Sequence, residues 1–423
     1  MKLIKLTYLQ TTDFEKKKSS ILEIGFYLMF FLWIFDSQNI LGGKNFVFIC
    51  FLCLFGIFMK YRYEYLRILL FCYFYFFVSL CFNLLFPNEE LDLENLLSQG
   101  RLFILLLLLS FTSKTSKPRL FKIFYKVVFF YAIFVNCFDW FVIINWDFSS
   151  EWHHRFPKIT QIIDSDNSLT NLFFGSIGEK RFLYIYDLPR EVYGFDLPMI
   201  YSNTHFLFLI GLAFASYKFW VELKTKYLFH SFLFIVPLMF SGTRALVGCS
   251  LLIVFFCVFY STIIHRKILI AKFFIIAMVL SVGWFVYSQF QIKSNSNMIK
   301  GDILNRVIEK ILDNPLRYLL IGDGPGAKCH FVRGYLAHTE IIILDFIRYY
   351  GLLFTAVFFA FVLYPAFKLF FGIKEKYAKI MGFAFFNVVL VANTNPMLFK
   401  AEGFIAITLM YYLLHHNINM ELK

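Results

Sequence analysis

The sequence predicts an all-α integral membrane protein that crosses the bilayer many times, and three observations carry this prediction. Hydrophobic residues make up 59% of the 423 residues, 60 residues are Phe, and only 16% are charged. A soluble protein of this length could not bury so many large apolar side chains. The apolar residues also form blocks long enough to cross a bilayer, and Lys and Arg recur in alternate connections between these blocks.

The apolar blocks predict about twelve transmembrane helices in a single transmembrane domain that covers residues 1–423. The predicted spans lie near residues 20–37, 45–60, 65–86, 98–113, 121–145, 198–217, 226–242, 243–263, 270–290, 338–367, 378–396 and 402–416. The first 20 residues are polar and contain no small-residue cleavage site, so we expect no cleavable signal peptide.

The distribution of basic residues predicts an orientation and excludes one class of function. A formal net charge of +13 is compatible with a nucleic-acid partner. Here, however, the Lys and Arg residues concentrate in alternate connections, as the positive-inside rule requires of a membrane protein. We therefore expect both termini in the cytoplasm and no nucleic-acid partner.

Two predicted outer loops are long, at residues 146–197 and 291–337, and both are rich in Asn, Ser, Asp and Gly. Long connections of this kind commonly carry function. The first loop contains aromatic and acidic residues suited to contacts with sugars. The second contains "DILNRVIEKILDNPLRYLLIG", whose apolar spacing predicts an amphipathic helix. Its apolar face either lies along the membrane surface or packs on neighbouring helix ends.

The stretch "GDGPG" at residues 322–326 predicts a tight turn rather than a nucleotide-binding loop. It lacks the Gly-Lys-Ser/Thr of a phosphate loop, follows no predicted strand and lies on the predicted outer side, where there is no ATP. Gly and Pro in this order are typical of an irregular turn.

Ionisable residues within or at the edges of the predicted spans are candidate functional groups, because charge is costly in lipid. They are Arg101, Asp139, Arg244, Asp345 and Arg348. For Arg101 and Arg244, extension of the side chain to the interface is the simpler alternative. Asp345 shares a helical face with His338, and it either orients a site residue or pairs with Arg348.

Three motifs in the second half of the chain together resemble the bacterial O-antigen polymerase and ligase superfamily. They are "SGTRAL" at 241–246, the segment from Arg306 to Gly322, and "AHTEIIILDFIRYYGLL", in which His338 opens a predicted span. The superfamily has a Ser/Thr-x-Arg or Ser-Arg helix start, an Arg…Gly-x-Gly segment in a large periplasmic loop, and a His that opens a helix. The two long outer loops and the Arg306-to-Gly322 spacing are more similar to the polymerase branch than to the ligase branch.

This resemblance implies a GT-C-like glycosyltransferase in the bacterial inner membrane, with its active site facing the periplasm. It implies an undecaprenyl-pyrophosphate-linked oligosaccharide as substrate, membrane lipid as surroundings and a chain-length regulator as a candidate partner. His338 is implied as the catalytic base, because His accepts protons near neutral pH. The implied substrate-binding residues are Arg244 and Arg306 at the pyrophosphate, with Arg333, Arg190, Asp345, Gly322 and Gly324 as further candidates.

The sequence also indicates how the reaction proceeds and which alternatives compete. No Asp, Glu and His cluster has metal-ligand spacing, so we expect transfer without a metal or cofactor. Within the superfamily, the alternative is a ligase that moves finished glycan to the lipid A core. Outside it, the alternative is a flippase for lipid-linked oligosaccharides, which predicts inverted repeats and charges deep within several spans.

Overall fold

The computed structural model describes residues 21–36, 43–58, 63–87, 90–112, 119–144, 183–192, 195–241, 243–264, 277, 294–331, 334–336, 341–394, 398 and 400–416. Over this part of the chain the protein is predominantly helical. His338, Arg333 and most of the predicted span at 270–290 lie outside the described residues, as does much of the first outer loop.

The helices follow the apolar blocks closely in order and length. They are α1 (Ile21–Phe35), α2 (Lys44–Phe58), α3 (Tyr63–Leu85), α4 (Leu93–Ile104), α5 (Leu120–Ile144), α6 (His205–Val221), α7 (Lys226–Phe240), α8 (Arg244–Ile264), α9 (Ser294–Asp313), α10 (Pro315–Leu320), α11 (Ile342–Phe367), α12 (Lys376–Thr394) and α13 (Ala401–His415). A 3₁₀ segment, Leu105–Thr112, continues α4, and a π-helical turn, Lys368–Gly372, continues α11.

Four stretches of the described residues are long and apolar enough to cross a membrane: Tyr65–Leu85, Leu120–Ile144, Arg244–Ser261 and Ile342–Gly372. Shorter apolar helices accompany them at α1, α6, α7 and α13. The predicted class, a helical membrane protein, is therefore confirmed at this level, and the number of twelve spans stays a prediction.

The prediction of an all-helical chain omits two antiparallel β pairs. Both begin in the predicted outer loops, and the first extends to Tyr201, within the span predicted at 198–217. Strand β1 (Tyr184–Val192) pairs with β2 (Phe195–Tyr201), and β3 (Cys329–Phe331) pairs with β4 (Gly334–Leu336). Tyr, Ile, Phe and Val favour strands, and only a few residues separate the partners, so hairpin pairing satisfies the backbone locally.

One end of the helix bundle, here called the basic end, collects Lys and Arg from the ends of several helices. The Tyr125 hydroxyl near the start of α5 lies 2.7 Å from His230 Nδ1 near the start of α7. The rings of Tyr217 in α6 and Tyr377 in α12 are 5.2 Å apart. These contacts bring together helix ends that carry Arg119, Lys122, Lys126, Lys218, Lys224, Lys226, Lys368, Lys374, Lys376 and Lys379.

The opposite end, here called the polar end, contains the buried acidic side chains of the described residues. Ile343 N of α11 donates to Asn393 Oδ1 of α12 (3.0 Å), so the start of one helix meets the end of the next. The buried acids follow or lie near helix termini at this end: Asp36, Asp139, Asp323, Asp345 and Glu402.

Candidate functional site

The glycine-rich stretch GDGPG makes hydrogen bonds to α11 at a point where this helix is interrupted. Helix α11 follows the second outer loop. Gly351 has a φ of 82° and a ψ of 166°, which interrupts the helical hydrogen-bond ladder. The carbonyl groups of Arg348 and Tyr349 accept instead from Asp323 N (2.6 Å) and Gly324 N (3.0 Å). Buried carbonyl groups need such partners, so the GDGPG stretch replaces the bonds that the break removes. We call this arrangement the glycine clasp.

The close approach of two backbones explains why glycine is needed at Gly322 and Gly351. A Cβ atom on Gly322 would lie 2.5 Å from the Arg348 carbonyl oxygen, and one on Gly351 would lie 2.7 Å from Ile321 N. Both residues also have positive φ values, +74° and +82°, which L side chains rarely adopt. The predicted turn is therefore confirmed, and its role is packing between two chain segments.

The clasp also binds the end of α3 and the start of α4. Ser79 Oγ donates to the Ile321 carbonyl (2.6 Å), and a Cβ on Gly324 would lie 2.9 Å from Asn83 Cβ. Asp92 N donates to the Gly326 carbonyl, and Lys328 N donates to the Glu90 carbonyl, each at 2.8 Å. The segment is thus fixed on both sides by backbone hydrogen bonds.

Arg348 lies fully buried beneath the clasp and is held by three neighbours. Its Nη1 donates to the Ala327 carbonyl (2.6 Å), and its Nη2 donates to the Tyr349 hydroxyl (3.0 Å). The same Nη2 lies 3.5 Å from Asp345 Oδ1. The simpler alternative for Asp345, pairing with Arg348, is therefore the one that the structure contains.

A second charged group closes the clasp from the side of α10. Arg317 Nε lies 3.2 Å from Asp323 Oδ1, and the Tyr318 hydroxyl donates to Asp323 Oδ2 (2.6 Å). Burial and the neighbouring Asp323 carboxylate both raise the pKa of the Tyr318 hydroxyl above its ordinary value. The hydroxyl stays protonated and donates to the carboxylate, which keeps this buried acid satisfied.

The predicted site residues that the structure describes differ in their contacts and burial. Gly322 and Gly324 belong to the clasp, and their amides donate to the carbonyls of Arg317 and Tyr349. Arg306 Nε donates to Asp302 Oδ2 one turn earlier in α9 (2.9 Å). Arg244 is half-buried as the first residue of α8.

The remaining predicted residues are only partly described. Arg190 lies in β1, opposite Leu197 of β2, and only its backbone is described. His338 and Arg333 lie outside the described residues. The structure therefore brings Gly322, Gly324 and Asp345 together at the polar end and leaves the predicted roles of His338 and Arg333 as predictions.

Two buried groups at the polar end have open hydrogen-bonding capacity. Neither carboxylate oxygen of Asp139 makes a hydrogen bond within the described part of the chain. His205, for which the sequence favours a satisfied core histidine over a cavity-lining one, is fully buried. Its Nδ1 accepts from Ser202 N (2.7 Å), but its Nε2 makes no hydrogen bond to the described residues. The predicted core position of His205 is thus confirmed, but only one of its two ring nitrogens has a hydrogen-bond partner among the described residues.

Sequence reasoning missed Arg317, Tyr318 and Asp323 as a group. The available signal was the density of polar residues in "NPLRYLLIGDG", which follows directly from α9. Their mutual contact depends on α10 turning back toward α3, and no local pattern predicts that turn. Among the described residues, no three His, Cys, Asp or Glu side chains come together as metal ligands would.

Comparison with known proteins does not assign a family or a function to this arrangement of residues. No protein-family model, curated protein or solved structure matches the chain.

Proposed function

We propose that the protein is a periplasm-facing glycosyltransferase that polymerises undecaprenyl-pyrophosphate-linked O-antigen repeats. The growing chain moves from its lipid carrier onto the next lipid-linked repeat, without a metal ion. In this proposal about twelve helices of a GT-C-like enzyme cross the bacterial inner membrane. The basic end and both termini face the cytoplasm, and the polar end faces the periplasm.

The observation that carries the proposal is the position of the buried acidic side chains and of Arg348 at one end of the bundle. Within the described residues the buried acids and Arg348 lie at the polar end, near helix termini and beside the long outer loops. A flippase is expected to place its substrate site near the bilayer midplane, at the interface of repeats. A site at one membrane surface is instead expected of an enzyme that acts on headgroups already delivered to that side.

The chemistry assigns one task to each predicted residue. The acceptor hydroxyl attacks the anomeric carbon of the donor sugar, and the bond from that carbon to the pyrophosphate oxygen breaks. The proton passes to His338, and undecaprenyl pyrophosphate leaves with the electron pair. Guanidinium groups suit this leaving group because they bind phosphate oxygens in pairs and keep their charge when poorly hydrated. Stabilisation of the leaving charge is the largest expected contribution to the rate.

Two structural features support these assignments. The glycine clasp holds the first half of α11, and His338 lies just before that helix. Arg244 begins α8 at the polar end, the same end at which α11 begins. A phosphate ligand at the start of one helix, and a base four residues before the start of another helix that the clasp holds, suit the fixed geometry that transfer requires.

Deletion of the gene in the bacterium that carries it separates the three candidate functions. Loss of a polymerase should leave lipopolysaccharide core with a single repeat on a gel. Loss of a ligase should leave bare core together with long lipid-linked chains. Loss of a flippase should leave bare core with single repeats retained on the cytoplasmic side. Either of the last two patterns would replace the proposed activity.

A histidine pair tests the catalytic assignment. His338→Ala should reproduce the deletion pattern at normal protein abundance, because the reaction loses its base. His415→Ala is the matched control, since His415 Nε2 lies 3.3 Å from the Tyr65 hydroxyl at the basic end. The control should keep a normal ladder. A normal ladder from His338→Ala would refute the assignment of the base.

A further inference from the structure

Helices α9 and α10 present an exposed apolar surface at the polar end. Leu312 and Leu316 are 71% and 73% exposed. The surface, called here the α9–α10 surface, consists of Leu304, Ile308, Leu312, Leu316, Leu319 and Leu320. Large contiguous apolar surfaces on a protein indicate contact with another apolar phase or partner.

Helix α9 has three distinct faces, which is more than the amphipathic pattern alone indicates. Ile303 and Val307 are buried against Leu344 of α11. Beside them, the exposed side chains of Leu304, Ile308 and Leu312 recur one helical turn apart. The third face carries the exposed polar residues Glu309 and Asp313. The packing alternative is therefore shown for one apolar face, and the adjacent apolar face is uncovered within the described residues.

Arg317 joins this surface to the end of the spanning helix α3. Its Nη1 donates to the Phe86 carbonyl (3.2 Å), its Nη2 donates to Asn83 Oδ1 (3.4 Å), and its guanidinium carbon lies 5.3 Å from the centre of the Phe82 ring. Phe86, which is 60% exposed, therefore lies beside α10.

The apolar surface continues down α3. Phe74 and Phe77 are 64% and 56% exposed on this candidate membrane span. A spanning helix exposes such side chains to lipid, and the exposed side of α3 continues to Leu84 and Leu85 at the end of the helix, where Arg317 of α10 contacts the adjoining Phe86.

We propose that α9 and α10 form an interfacial element, with the α9–α10 surface embedded among the lipids of the leaflet at the polar end. The face that carries Glu309 and Asp313 then meets water, and the face that carries Ile303 and Val307 meets the protein. An amphipathic helix with one apolar and one polar side takes this position at a bilayer surface. This inference rests on the membrane class of the protein and not on the proposed glycosyl transfer.

Tryptophan scanning in proteoliposomes tests the position of this element. Full-length Ile308→Trp and Leu312→Trp report on the apolar face, and Asp313→Trp is the matched control on the polar face of the same helix. Each is reconstituted in phosphatidylcholine with and without bromine near the headgroup end of one acyl chain. The emission of the six native tryptophans is measured in the wild-type protein and subtracted from the emission of each variant. All three positions are exposed or surface-directed, so the fold should tolerate the larger side chain.

The expected result is that brominated lipid quenches the added emission at 308 and 312 at least about twice as strongly as at 313. Iodide in the aqueous phase should show the reverse order. Equal quenching at all three positions, with iodide reaching Trp at 312, would place the surface in water and overturn the proposal. Protection of 312 from both quenchers would also overturn it, since another protein chain would then cover the surface.

Discussion

The two ends of the helix bundle use charge in opposite ways. At the basic end, Arg119, Lys126, Lys226 and Lys376 are exposed. At the polar end, Arg348 and Asp323 are fully buried, and Asp345 nearly so. An exposed charge influences how the chain is oriented in the membrane and needs no particular partner. A buried charge requires specific partners. The comparison teaches that charged residues can be replaced freely where they are exposed, as these four are at the basic end, and hardly at all where they are buried, as at the polar end.

The largest expected effect follows from removing the guanidinium at the polar end. Arg348→Met leaves the Ala327 carbonyl and the Asp345 carboxylate buried without their partner, which should cost about 3–5 kcal/mol. Arg119→Met at the basic end should change stability by less than about 0.5 kcal/mol. Thermal unfolding of the two purified variants measures the contrast. A midpoint for Arg348→Met as high as that for Arg119→Met would remove the distinction between the ends.

A smaller loss is expected from filling the space between the two backbones of the clasp. Gly322→Ala combines a positive φ with a Cβ 2.5 Å from the Arg348 carbonyl oxygen, and should cost about 2–4 kcal/mol. Gly248→Ala in α8 is the control, because nothing in the described structure lies within 4 Å of its Cβ position. Alanine there should be neutral or stabilise the helix by up to about 1 kcal/mol. Protein yield and unfolding midpoint report both effects, and equal midpoints would mean that the clasp does not depend on glycine.

The smallest expected effect concerns the two ion pairs of Glu222 at the basic end, one with the buried Lys218 and one with the exposed Lys224. Glu222 lies 2.5 Å from Lys218 Nζ and 2.8 Å from Lys224 Nζ. Burial acts to raise the pKa of Glu222, but the hydrogen bonds from the two lysines outweigh it and hold this pKa below the ordinary value of 4.5. The resulting stabilisation is complete above the unfolded-state pKa and is lost as the pH falls through the lowered folded-state pKa.

Glu222→Gln should therefore lower stability by only about 0.5 kcal/mol near neutral pH, as expected for a partly exposed pair. The difference from the wild-type protein should shrink as the pH falls below 4.5. Unfolding midpoints of both proteins over a pH series measure this. A difference that grows on acidification would show that Glu222 does not stabilise the protein through its charged form.

Local patterns predicted a large part of the molecule. Helices α3, α5, α8 and α11 coincide with long apolar blocks, because each block needs only its own hydrogen bonds to form a helix. The pairing of Asp345 with Arg348 was also among the expected alternatives, since residues three apart meet on a helix surface. Charge alternation likewise predicted which helix ends would share basic residues.

Contacts between elements account for most of what local patterns missed. The role of Arg306 at the pyrophosphate stays a prediction, and in the structure its Nε pairs with Asp302 one turn earlier in the same helix. The amphipathic stretch indicates one apolar face, but α9 has two because α11 covers only one of them. The β1–β2 pair depends on contacts between neighbouring segments of a long loop, and the periodicity of apolar spans does not include it.

The sequence by itself determined the membrane class, the order of the helices and the tight turn at GDGPG, because these depend on composition and on interactions within a few residues. Only the tertiary structure decided what that turn binds. The break at Gly351 frees carbonyl groups of α11, and the amides of Asp323 and Gly324 reach them from across a loop. Their pairing is decided by packing, because two glycines are needed at one contact before the backbones can approach closely enough to bond.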